Sequence, residues 1–151
     1  MNPRTTLFGI LIGLPGAAVL ASGGGANRAP LDPAYVAECG SCHLAYPPRM
    51  LGAASWLALL GGLDQHFQVD ATVETATLAQ LNGYLTANSR RKPTGDAGAP
   101  ALRISETGWF RHEHDDISTS QWSRVKSKSN CGGCHTGAAQ GRYSEHELRL
   151  P

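Results

Sequence analysis

The chain has four cysteines, and they fall in two stretches of one pattern, CGSCH at residues 39–43 and CGGCH at residues 131–135. On a helical turn, residues three apart share a face. Cys39 and Cys42, and again Cys131 and Cys134, would therefore present two thiols side by side. Each thiol of such a pair can add to one vinyl group of a single haem. The histidine directly after the second cysteine can then aim its imidazole at the iron. Cys-x-x-Cys-His is the attachment signature of c-type haem. Two copies predict two covalently bound haem c groups, with His43 and His135 as the axial ligands on the attachment side. Other uses of paired thiols fit less well. A four-thiolate zinc site usually separates its Cys-x-x-Cys units by about 15–20 residues, far less than the distance from Cys39 to Cys131. A thioredoxin-type redox pair needs a βαβ setting, which the sequence does not offer. A plain disulfide within each pair leaves the repeated histidine without a role.

Each iron has one further axial position. Methionine is the common partner in high-potential cytochromes, but the only methionines are Met1 and Met50. Met50 follows His43 too closely to swing round to the far face of the haem. Four other histidines remain, His66, His112, His114 and His146. That supply predicts bis-histidine ligation at both irons and low reduction potentials. His66 stands between two helical stretches, where a small class I cytochrome c brings in its distal ligand, and it is assigned to the first haem. His112 and His114 are two apart and would point away from each other on a helix. One of them is expected to serve the second haem. Phe110 precedes His114 by one turn, and Trp109 precedes His112, so the aromatic neighbours do not choose between them. His146, in the polar tail, reads as a solvated side chain. So do the basic run Arg90–Lys92 and the acidic cluster of Glu113, Asp115 and Asp116.

Positioning these residues requires helices. Asp32 is a good N-cap with Pro33 at the first helical position, so a short helix should lead into the first motif with Tyr35, Val36 and Cys39 on one face. Apolar residues at 50, 51, 54, 57, 60 and 63 recur at a helical period, and Gly61-Gly62 stops that run. A loop carrying His66 follows. TVETATLAQLNGYLTANS, residues 72–89, then reads as an amphipathic helix with Thr72 as its cap and Leu78, Leu81 and Leu85 as its buried stripe. The stretch 90–101 is Pro- and Gly-rich and reads as a linker. Beyond it, Asn130 could cap a helix opening at Cys131. This second half has few aliphatic residues and looks too poor in them to fold unaided. No alternation is long enough to predict a strand.

With 151 residues, 41% of them hydrophobic and 17% charged, the chain can form one core or two very small ones, and it is too apolar for a fully disordered chain. A formal net charge of +1 argues against nucleic-acid binding, which goes with a strong basic excess. The N-terminus has the form of a secretion signal: Arg4, an apolar run over 7–21, and small residues before a cut after Ala21. The run is shorter than the about 20 residues that span a bilayer. Residues 1–21 are therefore expected to be a cleaved signal peptide and 22–31 a flexible segment, with the mature protein in the periplasm.

The motifs ECGSCHLAYPPRML, LDQHF, RISETGWFRHEHDDI and NCGGCHTGAAQG, with LRLP at the end, fit in order and spacing as a set. The chain carrying them resembles the dihaem cytochrome c family of small periplasmic electron carriers. The resemblance covers nearly all of the mature chain. It implies a mainly α fold, with a class I cytochrome c-like haem domain over 32–89 and a small, loop-rich haem segment over 102–151. It implies low-potential bis-histidine haems and an electron carrier rather than an enzyme. It also favours His114 over His112, because the family's regular histidine precedes an acidic-then-Ile segment. The partners it implies are redox proteins, among them a membrane cytochrome b and a small oxygen-binding monohaem cytochrome. The competing reading is a haem enzyme of peroxidase type, or a gas-binding protein, with one iron left open. A zinc-stapled structural protein is a third.

Overall fold

The structure is a computed structural model, and it describes residues 30–95 and 99–151. The expected signal peptide, and most of the segment after it, lie outside the described residues. Among the described residues there is no strand, only isolated bridges, and no helix is long and apolar enough to cross a membrane.

The fold grows from three helices. α1 (Pro33–Cys39) starts as expected: the Asp32 carboxylate accepts the Tyr35 N–H at 3.0 Å, and Pro33 sits where a missing N–H costs nothing. α2 (Ala53–Leu60) ends at Gly61. α3 (Thr75–Ala87) packs chiefly against α2 and also meets α1. Their shared core is Tyr35, Leu51, Trp56, Leu60, Leu81 and Leu85, all buried. Tyr35 meets Trp56 edge-on with ring centroids 6.3 Å apart and lies 5.5 Å from Tyr84, geometries that favour aromatic pairs beyond simple burial.

Three local expectations are corrected. On α2 the buried side chains are Ser55, Trp56 and Leu60, while Leu57 is 46% exposed and Ala54 is also on the surface. The Trp56 indole N–H donates to the Pro48 carbonyl at 2.7 Å, and that bond turns the helix so that the indole faces the core. On α1, Val36 is exposed although Tyr35 is buried. α3 begins at Thr75 with Glu74 at the cap position, not at Thr72, whose N–H is instead taken by the Asp70 carboxylate at 2.9 Å. Its buried stripe is as expected: Leu81 and Leu85 are buried, and Leu78 packs against the core.

Residues 90–95 lie on α2. The Thr94 hydroxyl accepts the Gly52 N–H at 2.8 Å and meets the Ser55 hydroxyl at 3.0 Å, and the Thr94 carbonyl accepts from Ser55 at 3.1 Å. A Cβ on Gly52 would stand 3.2 Å from the Thr94 nitrogen and 3.3 Å from the Pro93 Cα, so glycine lets the two backbones approach.

The second half is built of short pieces. α4 (Gly108–Glu113) is capped by the Thr107 hydroxyl, and α5 (Thr119–Val125) opens on a capping box of Ser118 and Gln121. Phe110, Val125 and Ala138 are its buried apolar side chains, and they do not form a cluster as the first core does. The Trp109 indole N–H donates to the Met50 carbonyl at 3.1 Å, and the Arg90 guanidinium lies over the Trp109 ring. These contacts tie α4 to the first half.

Candidate haem-binding sites

The first thiol of each motif is partly buried and the second is held by a turn. Cys39 is the last residue of α1, and Cys42 and His43 follow in the turn that leaves it. Burial, with Glu38 adding to it, pushes the Cys39 thiol up to about 11. Cys131 opens a single 3₁₀ turn (Cys131–Gly133), and the His135 N–H closes back onto the Cys131 carbonyl at 2.8 Å. Burial likewise pushes the Cys131 thiol up. Asn130 does not cap this turn: its side-chain amide donates to the Val125 carbonyl at 3.0 Å. A Cβ on Gly133 would meet the Val125 side chain at 2.8 Å, so this position in the motif has no room for a larger residue. None of the four cysteines is in a disulfide.

The last residues of the chain brace the second motif. The Arg149 N–H donates to the Cys134 carbonyl at 2.8 Å, and the Thr136 N–H and hydroxyl both reach the Glu147 carbonyl. His135 and Leu148 form an antiparallel bridge. Arg142 and Glu147 close this loop with an ion pair of 3.0 Å.

The histidines come together in two pairs. His43 and His66 have ring centroids 6.3 Å apart with planes 25° from parallel. His114 and His135 have centroids 6.2 Å apart with planes at 72°. An imidazole nitrogen binds a first-row metal at about 2 Å, and the ring centre lies roughly 1 Å behind that nitrogen. Two imidazoles on opposite sides of one metal ion therefore place their centroids about 6 Å apart. Both pairs match that span. His43 Nδ1 lies 2.7 Å from the Leu44 carbonyl and His114 Nδ1 lies 2.9 Å from the Phe110 carbonyl. A carbonyl oxygen only accepts, so each of these rings carries its proton on Nδ1 and keeps the Nε2 lone pair for a metal. His135 Nδ1 is buried without a hydrogen-bond partner, beside the Tyr143 ring. Burial, then the facing His43 and Arg103, hold His66 below the usual imidazole range, and burial and then His114 do the same to His135. Neutral rings are the ones that can ligate.

A family model described as Dihaem cytochrome c matches residues 35–143. The chain belongs to that family. A diheme cytochrome c from Rhodobacter sphaeroides is 40% identical, with a TM-score of 0.68, over 75% of this chain and 97% of its own. A second structure of the protein purified from Rhodobacter sphaeroides gives 41% identity and a TM-score of 0.66. A diheme cytochrome type c from Shewanella baltica OS155 is 31% identical, with a TM-score of 0.67, over 79% of this chain and 92% of its own. A comparison with curated proteins found no match.

As a dihaem cytochrome c, this protein carries two haem c groups and is a haem-based electron carrier, and the four motif cysteines supply the thiols for attachment. The surroundings of the two histidine pairs suit a flat, largely apolar group. A cleft of about 270 Å³ opens beside Cys42 and His43, with Leu31, Val36 and Leu44 as well as Ser41 in its lining and His66 outside it. Phe67 packs edge-on against His66, centroids 4.7 Å apart, with Arg103 above it at 4.0 Å. In the second half His114 is stacked on Phe110 at 4.1 Å and lies 5.9 Å from Trp122.

Two histidines lie apart from these pairs. His112 is exposed on α4, and His146 is exposed in the turn Glu145–Glu147. Met50 is buried, its carbonyl occupied by Trp109. Sequence reasoning missed Thr94 and Tyr46, the residues that join separate segments of the chain, because a hydroxyl that bonds a distant backbone leaves no local motif.

Proposed function

We propose that this dihaem cytochrome passes electrons between redox proteins through two bis-histidine haems of low potential. His43 and His66 clamp the first, and His135 and His114 the second. The observation that carries this reading is the pair of imidazole spans, 6.3 Å and 6.2 Å. Four histidines from four separate segments meet two by two at the separation one iron requires. Haem, when bound, supplies an iron that alternates between ferric and ferrous forms. The protein's part is to hold both axial positions so that neither is open to a small molecule. Cys39 and Cys42, and Cys131 and Cys134, anchor the groups. The Leu44 and Phe110 carbonyls fix the orientation of His43 and His114 and raise their basicity as ligands. Two imidazoles in place of an imidazole and a thioether lower the potential.

On this reading the protein is a carrier and not an enzyme, working in the periplasm after removal of an export signal. The partners proposed are redox proteins, a membrane cytochrome b and a small oxygen-binding monohaem cytochrome among them. The first half is read as the class I-like haem domain and residues 102–151 as the second haem segment. Pyridine haemochrome analysis of the purified protein should give two c-type haems per chain. Low-spin visible and EPR spectra at both haems, with no carbon monoxide binding on reduction, are the expected result. A high-spin ferrous haem that binds carbon monoxide would favour the enzyme or gas-binding alternative.

A further inference from the structure

Tyr46 has no part in the proposed function, yet it touches the first site and the segment that leads into the second motif. Its ring is stacked on the His43 imidazole, with centroids 5.1 Å apart and planes 19° from parallel. Its backbone carbonyl accepts the Tyr35 hydroxyl at 2.6 Å, and Tyr35 is 1% exposed at the centre of the first core. Its own hydroxyl donates to the Ser129 carbonyl at 3.0 Å, across 83 residues of sequence. Cys131 follows two residues later, and its sulfur lies 3.6 Å from the same carbonyl. A thioether sulfur has no proton to donate, so in the haem-loaded chain that carbonyl is left to Tyr46. One residue thus joins the first core, an axial imidazole and the segment that presents the first thiol of the second motif.

We propose that Tyr46 is the positioning residue that fixes the second haem's anchor against the first haem's ligand, and that it thereby sets the rate at which an electron passes between the haems. The inference rests on His43 and Cys131 serving the two haems as read above. In the step itself one electron leaves a ferrous haem and reduces the ferric one. No bond forms or breaks, and no proton moves. Tyr46 contributes geometry. Among the described residues, the buried apolar side chains of the second half do not form a cluster like the first core, so residues 127–131 depend on individual hydrogen bonds, and electron transfer falls steeply with separation. A clasp on that segment keeps the separation short and narrowly distributed.

The test uses the full haem-loaded chain with Tyr46→Phe, which removes the hydroxyl, and Tyr46→Leu, which removes the stack as well. EPR of the unsubstituted protein first establishes whether both haems are low-spin. High-spin haem there removes the ligand reading and this inference with it. With both haems low-spin, Tyr46→Phe should raise amide exchange over residues 127–131 by roughly three- to tenfold, as one lost hydrogen bond implies. Exchange in α3 should not change. Equilibration between the haems after a substoichiometric pulse of reductant should slow several-fold in Tyr46→Phe and further in Tyr46→Leu, with both haems still low-spin. Unchanged equilibration in both variants overturns the proposal, whether or not exchange rises.

Discussion

His114 lies flat against Phe110, with ring centroids 4.1 Å apart and planes 17° from parallel, while its Nδ1 lies 2.9 Å from the Phe110 carbonyl. The stack and the hydrogen bond hold the imidazole in one orientation, 6.2 Å from His135. His112, two residues earlier, is exposed. Replacing each by Ala should therefore have opposite results. His114→Ala should convert one haem to a high-spin form that binds carbon monoxide when reduced, and His112→Ala should leave the visible spectrum unchanged. A normal spectrum for His114→Ala would overturn the assignment.

The two imidazole pairs differ in twist, 25° for His43 with His66 and 72° for His114 with His135. Near-parallel ring planes split the iron d orbitals that overlap the imidazole π systems, and near-perpendicular planes leave them almost degenerate. EPR of the ferric protein should accordingly show a rhombic low-spin signal from the first haem and a strongly anisotropic one from the second. Two identical rhombic signals would contradict the geometry at the second site. His66→Ala should remove the rhombic signal only.

The four cysteines and the histidine that ends each motif were legible because covalent attachment imposes a fixed local spacing. The start of α1 was legible for the same reason, since Asp32 and Pro33 act within one turn. The failures arose where a distant partner decides. Trp56 sets the rotation of α2 through Pro48, which periodicity over 50–63 does not register. Asn130 has the right type for a cap, but the Val125 carbonyl takes its amide. Residues 90–95 look like linker by composition, yet Thr94 is buried by Gly52 and Ser55, which lie some forty residues earlier in sequence. Neighbouring residue types did not choose between His112 and His114; the resemblance favoured His114, the one that faces His135.

Thr94 offers a stability test outside the haem-attachment motifs. Its hydroxyl is the acceptor for the buried Gly52 N–H, and a methyl group in its place would leave that N–H unpaired. Thr94→Val should cost about 1–3 kcal/mol, seen in denaturant unfolding followed by far-ultraviolet circular dichroism. Thr94→Ser, which keeps the acceptor, should cost less. Equal loss in both variants would place the effect in packing and not in the hydrogen bond.

Acid should act in a defined direction. The folded-state values of His66 and His135 lie below the ordinary 6.5, so the unfolded chain takes up protons first as pH falls. Their contribution to stability is complete above 6.5 and is lost as pH drops through the depressed values. Ligation to iron opposes protonation in the same sense. The low-spin spectrum should therefore survive acidification through 6.5 and give way only below it. A conversion centred at or above 6.5, followed by absorption during a pH titration, would contradict ligation by these imidazoles.

The ring ladder around the second site has an optical consequence. Trp122 lies 6.2 Å from Phe110 and 5.9 Å from His114, so a haem ligated by His114 would sit close enough to drain the excited indole by energy transfer. Trp109 stands one ring further along, 6.1 Å from Phe110, and Trp56 lies in the first core. Emission from Trp122 should therefore be quenched once haem is attached. The protein thus carries built-in fluorophores by which haem attachment can be followed in time.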